Sequence, residues 1–195
     1  MRSTLIVLNG PSSAGKSSIA HALQVLWPRP LFVTGIDTFI AGWPETFVSV
    51  ASDDGTPAPP SSGLRIVPGQ GPAPSLIIEL GDSFRHLMHV AHETWAKIQE
   101  AGVDQVVDHV FVDEDLGRDA RATLQHAFWV GVTCDVEELV RREAIRGDRT
   151  VGFASGTSAV AHLNARYDLV VDTTQTSSDV IAERIASAVI AISPS

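Results

Sequence analysis

Eight residues near the start of the chain, Gly10-Pro11-Ser12-Ser13-Ala14-Gly15-Lys16-Ser17, match the pattern G-x-x-x-x-G-K-[ST]. The pattern carries meaning only as a tight loop between a buried strand and a helix, and both flanks supply that setting. Thr4–Asn9 is a short apolar run rich in strand-forming residues, and Lys16–Leu26 has a helical pattern closed by Trp27-Pro28. Glycines let the backbone curl closely around an anion. The amides from Gly10 to Ser18 can then point inwards, reinforced by the dipole of the following helix. In such a cradle Lys16 bridges the β- and γ-phosphates of a nucleoside triphosphate, and the Ser17 hydroxyl ligates Mg²⁺. Lys16 is one of two lysines against twelve arginines. A compact point charge suits this place and a planar fork does not. The plainer alternative, a glycine-rich turn that caps a helix, has less in its favour in this context.

Four more apolar runs read as buried strands: Leu31–Ile36, Gln105–Phe111, Ala127–Cys134 and Leu169–Asp172. Helical patterns occupy Leu76–Ala101, Val136–Ile145 and Asp179–Ile192. Alternation of this kind predicts an α/β fold, with right-handed crossovers and a parallel sheet covered on both faces. With 195 residues the chain fits one domain, 1–195. Ala51–Ser75 carries six of the eleven prolines and is expected to be neither helix nor central strand. It reads either as a solvated loop or as a flap near the acceptor site.

A net charge of −9 argues against nucleic acid as a partner, since phosphate neutralisation supplies most of that affinity. Leu5–Leu8 is too short for a signal-peptide core, and no stretch approaches the roughly 18 apolar residues of a membrane span. Cys134 is the single cysteine, so no intrachain disulfide can form. The expected address is the cytoplasm, away from membranes. No lysine follows Lys97, so the Asn/Thr-Lys-x-Asp signature of guanine-specific switches is missing.

Candidate chemistry lies at the strand ends, where an open parallel sheet places its ligands. Asp37, after Gly35-Ile36, would stand beside the γ-phosphate and accept a proton from an attacking hydroxyl; as an alternative it N-caps a helix starting at Thr38. Asp108 suits the water ligands of Mg²⁺, or is a satisfied carboxylate on a strand end. Arg142, Arg146 and Arg149 recur at helical spacing before a loop over Thr150–Gly156. Arg146 and Arg149 would close a lid region, 146–160, over the transferring phosphoryl group, while Arg141 reads as a solvated ion-pairing residue. Phe39, Trp43 and Phe47 follow Asp37 at four-residue spacing and are either core or the wall of an acceptor pocket. His86, His89 and His92 recur every third residue with no evident acidic partner, and read as a surface stripe rather than a metal site.

Taken in order, these residues resemble the chloramphenicol phosphotransferase-like P-loop proteins over nearly the whole chain. The matching stretches are Ile6–Gly10 with Ser12–Ser17, Gly35-Ile36-Asp37, Asp108–Phe111, Trp129–Val132 with Cys134-Asp135, Arg142-Glu143, Arg146–Arg149, His162, Tyr167-Asp168 and Val171–Thr174. The resemblance implies a P-loop NTPase fold of nucleoside-monophosphate-kinase type, five parallel strands in the order 2-3-1-4-5. It implies ATP and Mg²⁺ and phosphorylation of a hydroxyl on an antibiotic-like acceptor, with a homo-oligomer left open. It also makes Asp37 the base, Arg146 and Arg149 lid residues, and Asp172, Thr173 and Thr174 neighbours of the adenine. Pro11 departs from a glycine in the family pattern. His109 stands where the pattern has a second acid and is taken for the substrate side with Phe39 and Trp43, and the segment 51–75 has no counterpart. Two further readings stay open: a kinase for a housekeeping metabolite or nucleotide, and a nucleotide-binding regulator without chemistry.

Overall fold

In the computed structural model, residues 3–50, 63–69, 75–147 and 151–192 are described. Five parallel strands form the main sheet: β1 (Leu5–Asn9), β2 (Leu31–Gly35), β6 (Asp104–His109), β7 (Phe128–Thr133) and β8 (Leu169–Asp172), in the spatial order β2-β6-β1-β7-β8. Counted among themselves these strands run 2-3-1-4-5, as the resemblance implied. β1 sits at the centre with Val7 level with Val107 on one side and Trp129 on the other.

Because successive side chains on a strand face opposite ways, a central parallel strand must be apolar on both faces. On β1, Ile6 and Leu8 join a core beneath α1 (Lys16–Leu26) and α7 (Ser178–Ile192). Leu5 and Val7 join a second core beneath α3 (Asp82–Glu100) and α4 (Glu114–Thr123), built around the fully buried Trp95. Five further elements complete the frame: α2 (Ile36–Ile40), α5 (Val136–Arg146), α6 (Phe153–Val160), the 3₁₀ turn Glu45–Phe47, and a small sheet of β3 (Val48–Val50), β4 (Leu64–Pro68) and β5 (Leu76–Leu80).

That small sheet corrects two expectations. Leu76–Leu80 is a strand and the helix starts only at Asp82, because Gly81 breaks the apolar run and serves as N-cap. Leu64–Pro68, inside the proline-rich segment, is the central strand of the small sheet: β3 pairs parallel with it and β5 antiparallel. Pro68 is tolerated because it is the last residue of the strand. Residues 51–62 and 70–74 of that segment lie outside the described residues. The expected loop at 150–156 also gives way, from Phe153 on, to helix α6, which starts after Gly152 in a left-handed conformation. Helix α4 was not expected; the Asp113 carboxylate caps it by accepting from Leu116 N at 2.8 Å.

Candidate active site

The carboxyl ends of β1, β2, β6 and β8 open onto one cleft of about 740 Å³. Its phosphate end is the loop between β1 and α1. There Lys16 is 7% exposed, and its Nζ donates to Gly10 O at 2.9 Å and Pro11 O at 2.8 Å, with Asp108 Oδ1 at 3.6 Å. Ser17 Oγ donates to Asp108 Oδ2 at 2.7 Å. Hydroxyl and carboxylate thus meet at the mouth of the cradle. Two hard oxygen donors are what Mg²⁺ asks of a protein when phosphates and water supply its remaining ligands, so these residues fit that ion. Among the described residues no group of three or more His, Cys, Asp or Glu could hold a metal by itself.

The loop also fits a polyphosphate. Ser13 has a positive φ of 63°, an unusual setting for a non-glycine residue. Its Oγ is buried without a hydrogen-bond partner although Ser13 lines the cleft. A phosphate oxygen bound in the loop would give this hydroxyl the partner it lacks.

Strand β2 brings Asp37 to the same cleft, exposed and in the first turn of α2 rather than before it. Gly35 makes this arrangement feasible. A Cβ on Gly35 would lie 2.7 Å from Asp108 O, so only glycine lets the end of β2 lie flush against Asp108. Lys16, Ser17, Asp37 and Asp108 therefore all line one cavity, together with Arg142 and Arg146 of α5.

On the nucleotide side, Arg142 Nη2 donates to Thr173 O at 2.6 Å, and Nη1 reaches Thr173 Oγ1 at 3.2 Å. Thr173 Oγ1 donates to Ala14 O at 2.9 Å, so β8, α5 and the cradle share one network. Thr173 lines the cleft with Thr176, Ser177 and Ser178, whereas Asp172 and Thr174 do not. Those two brace the turn: Thr174 N donates to Asp172 Oδ1 at 2.7 Å, and Asp135 N donates to Thr174 Oγ1 at 3.0 Å. Hydrogen bonds from Thr174 hold the Asp172 carboxyl below its usual range. Arg141 is an ion-pairing residue, as expected, with two bonds of 2.7 Å to Glu138. Arg149 lies outside the described residues.

The acceptor end differs in character. Ile36, Ile40, Leu64, Ile78, Leu80 and Phe84 form its walls, so β4 and β5 are part of the pocket that the sequence left unassigned. Phe39 and Trp43 are not among the lining residues. Phe39 packs edge-on against Trp95 at 5.6 Å at the margin of the second core, and Trp43 packs against Phe47 and Phe84, all three of the series being partly buried. His109 is not brought to the cleft either. A strand that sends Asp108 towards the cradle sends the next side chain the other way, and His109 is fully buried in the second core. There its Nε2 lies 2.9 Å from His92 Nε2.

The histidine stripe is corrected in turn. His92 is fully buried, and the Nδ1 atoms of His92 and His89 lie 2.6 Å and 2.7 Å from the two oxygens of Asp119. The acidic partner comes from α4, the helix that the sequence did not reveal. Desolvation pushes His92 below the ordinary histidine value and His109 well below it, while the Asp119 hydrogen bond raises His89.

Two buried residues support the site without having been foreseen. Thr157 Oγ1 on α6 accepts from Ser12 N at 2.9 Å, and the Glu143 carboxylate on α5 accepts from Gly152 N and Ala154 N at 2.8 and 2.7 Å. The adjacent Arg142-Glu143 pair was legible in the sequence, but neither partner of Glu143 was.

Comparison with known proteins bears on the family and the fold. Two Mycobacterium tuberculosis relatives, from strains CDC 1551 and H37Rv, each bear the name "Putative O-phosphotransferase". Each is 31% identical over 182 residues, covering 88% of this chain and 76% of the relative. Solved structures with the same fold include a Deinococcus radiodurans tunicamycin resistance protein, with TM-score 0.62, 17% identity and 96% of each chain covered. They also include an Acinetobacter baumannii shikimate kinase, with TM-score 0.60, 16% identity, and 97% of this chain and 94% of that one covered. A Mycobacterium tuberculosis APS kinase matches with TM-score 0.61 and 14% identity, over 97% of this chain and 98% of that one. At such identities these structures speak for the fold alone. The family model described as chloramphenicol phosphotransferase-like protein matches residues 3–190, and the chain belongs to that family.

Proposed function

We propose that the protein is an ATP- and Mg²⁺-dependent O-phosphotransferase whose acceptor is an antibiotic-like alcohol, apolar in body and without negative charge. The supporting observation is the division of the cleft. Among the described residues, every basic residue lining it, Lys16, Arg142 and Arg146, belongs to the phosphate end, and the acceptor end is walled by aliphatic and aromatic side chains with Asp37 at its edge. An acidic metabolite buried there would keep an uncompensated charge, and an ion left unpaired away from water costs on the order of several kcal/mol. That weighs against the housekeeping reading wherever its substrate is a carboxylate or a phosphate ester.

In this reading the acceptor oxygen attacks the γ-phosphorus as Asp37 takes the hydroxyl proton, the bond to the β-phosphate oxygen breaks, and ADP leaves. Mg²⁺, held at Ser17 and through water at Asp108, would supply charge neutralisation between the phosphates. Lys16 and Arg146 orient the phosphoryl oxygens, Arg142 fixes the nucleotide side of the cleft, and the apolar walls exclude water. Arg149, outside the described residues, keeps the lid role that the family resemblance gives it.

The test is Asp37→Asn, which keeps shape and removes the base. Turnover should fall by about 10²–10⁴-fold. ATP affinity should stay within about twofold of wild type, the pattern of a lost transition-state interaction. Turnover at the wild-type rate would remove Asp37 from the chemistry, and loss of ATP binding would make it a structural residue of the cradle.

A further inference from the structure

Helix α6 touches both halves of the cleft through buried contacts. At the phosphate end, Thr157 is 1% exposed and its Oγ1 accepts from Ser12 N at 2.9 Å. The same hydroxyl is aimed by donating to Phe153 O at 2.8 Å, with Ala154 O at 3.2 Å. At the acceptor end, Leu76 N of β5 donates to Gly152 O at 3.0 Å. Gly156 lies so close to β5 that a Cβ on it would sit 1.7 Å from Leu76 O. Two elements packed backbone to backbone in this way cannot slide past each other without separating. Glu143 then fixes the start of α6 through Gly152 N and Ala154 N.

We propose that α6 couples the two substrates, and that Thr157 is the positioning residue through which the state of the phosphate cradle reaches the acceptor wall β5. Resting on the phosphotransferase reading above, this adds to it a route and a consequence: nucleotide in the cradle organises the acceptor site before an acceptor arrives. A nucleotide that fixes Ser12 fixes Thr157, hence α6, hence the register of Leu76 against Gly152. Ile78 and Leu80, two residues and four residues further along β5, are the side chains an acceptor meets. Linkage makes the effect mutual, so an acceptor seated on β5 tightens the nucleotide by the same factor.

The test needs no knowledge of the acceptor. Amide hydrogen exchange of the full chain is followed with and without ADP–Mg²⁺. In the wild type, exchange should slow in residues 10–18 and, about fivefold or more, in residues 76–80, a factor at the low end of ordinary couplings. In Thr157→Val, which keeps the shape but loses the acceptor oxygen for Ser12 N, residues 10–18 should still slow and 76–80 should not. Thr157→Ser should restore the response. If β5 ignores ADP in the wild type, or responds equally in Thr157→Val, the coupling route is wrong while the phosphotransferase reading stands. If residues 10–18 themselves show no response to ADP–Mg²⁺, the nucleotide reading fails and takes the coupling with it. The wild-type comparison decides between these even if the valine variant does not fold.

Discussion

Ser17 and Asp108 are separated by 91 positions in the chain, yet their oxygens meet at 2.7 Å. That contact shows how much of the site was legible residue by residue. The cradle could be read because phosphate chemistry restricts which residues can occupy it: glycine for close approach, lysine for a point charge, serine for a hard ligand. Asp37 and Asp108 were legible as residues at the ends of parallel strands, where such sheets place ligands. His109 misled because a strand alternates, and which of two adjacent residues faces the site depends on a register that sequence does not print. Ser13 was read as one loop residue among several, but its buried hydroxyl without a partner gives it a testable weight. Ser13→Ala should raise the Kd for ATP by about 10–150-fold, the equivalent of the roughly 1.5–3 kcal/mol of one hydrogen bond to a charged group. It should leave the thermal midpoint unchanged or slightly higher, since a buried unsatisfied hydroxyl is removed. Calorimetric titration and thermal denaturation of the same variant check both halves.

At the level of elements, the apolar strands of the main sheet were the easiest to recognise. Their apolar runs have no amphipathic ambiguity, and each ended close to where the structure ends it. The errors fell on elements whose identity depends on a partner distant in sequence. Leu76–Leu80 is divided from the helical pattern only by Gly81, and its pairing with Leu64–Pro68 makes it a strand. Helix α4 is short and charged and buries only Leu116 and Ala120, so it offers few apolar positions to read, although Asp113 and Glu114-Asp115 form an ordinary helix start. Helix α6 opens after a left-handed glycine and draws its N-terminal partner from another helix, because Glu143 supplies the carboxylate. Glu143→Ala should therefore leave two buried amides without acceptors and cost about 2–3 kcal/mol of folding stability. Chemical denaturation should show the loss, whereas an exposed charge such as Glu137 should cost less than about 0.5 kcal/mol when replaced by alanine.

Across the whole molecule, alternation and handedness pointed to a parallel sheet, the family resemblance supplied its strand order, and the charge balance argued against nucleic acid; the histidines behind β6 add a property that none of these revealed. His92 and His109 are buried and held neutral, with Asp119, His89 and Lys16 as the charged groups around them. Their folded pKa values lie below the unfolded value near 6.5, so the unfolded chain takes up protons first as pH falls. The stability they permit is complete above about pH 6.5 and is lost as pH drops towards the folded values, by up to about 1.4 kcal/mol per pH unit for each histidine. His89 works in the opposite sense, its raised value favouring the fold at lower pH, but it is largely exposed and counts for less. Denaturant midpoints should fall between pH 7 and pH 5.5 in the wild type, and fall less in His109→Leu. Equal slopes would place the acid sensitivity elsewhere. The chemistry of the cleft as a whole is tested most directly by transfer of the γ-phosphate of labelled ATP to matched pairs of alcohols, each pair differing only by a carboxylate on an apolar body. The division of the cleft predicts that the uncharged member of a pair is labelled and the acidic member is not. Label appearing on the acidic members, with the uncharged ones left untouched, would contradict it.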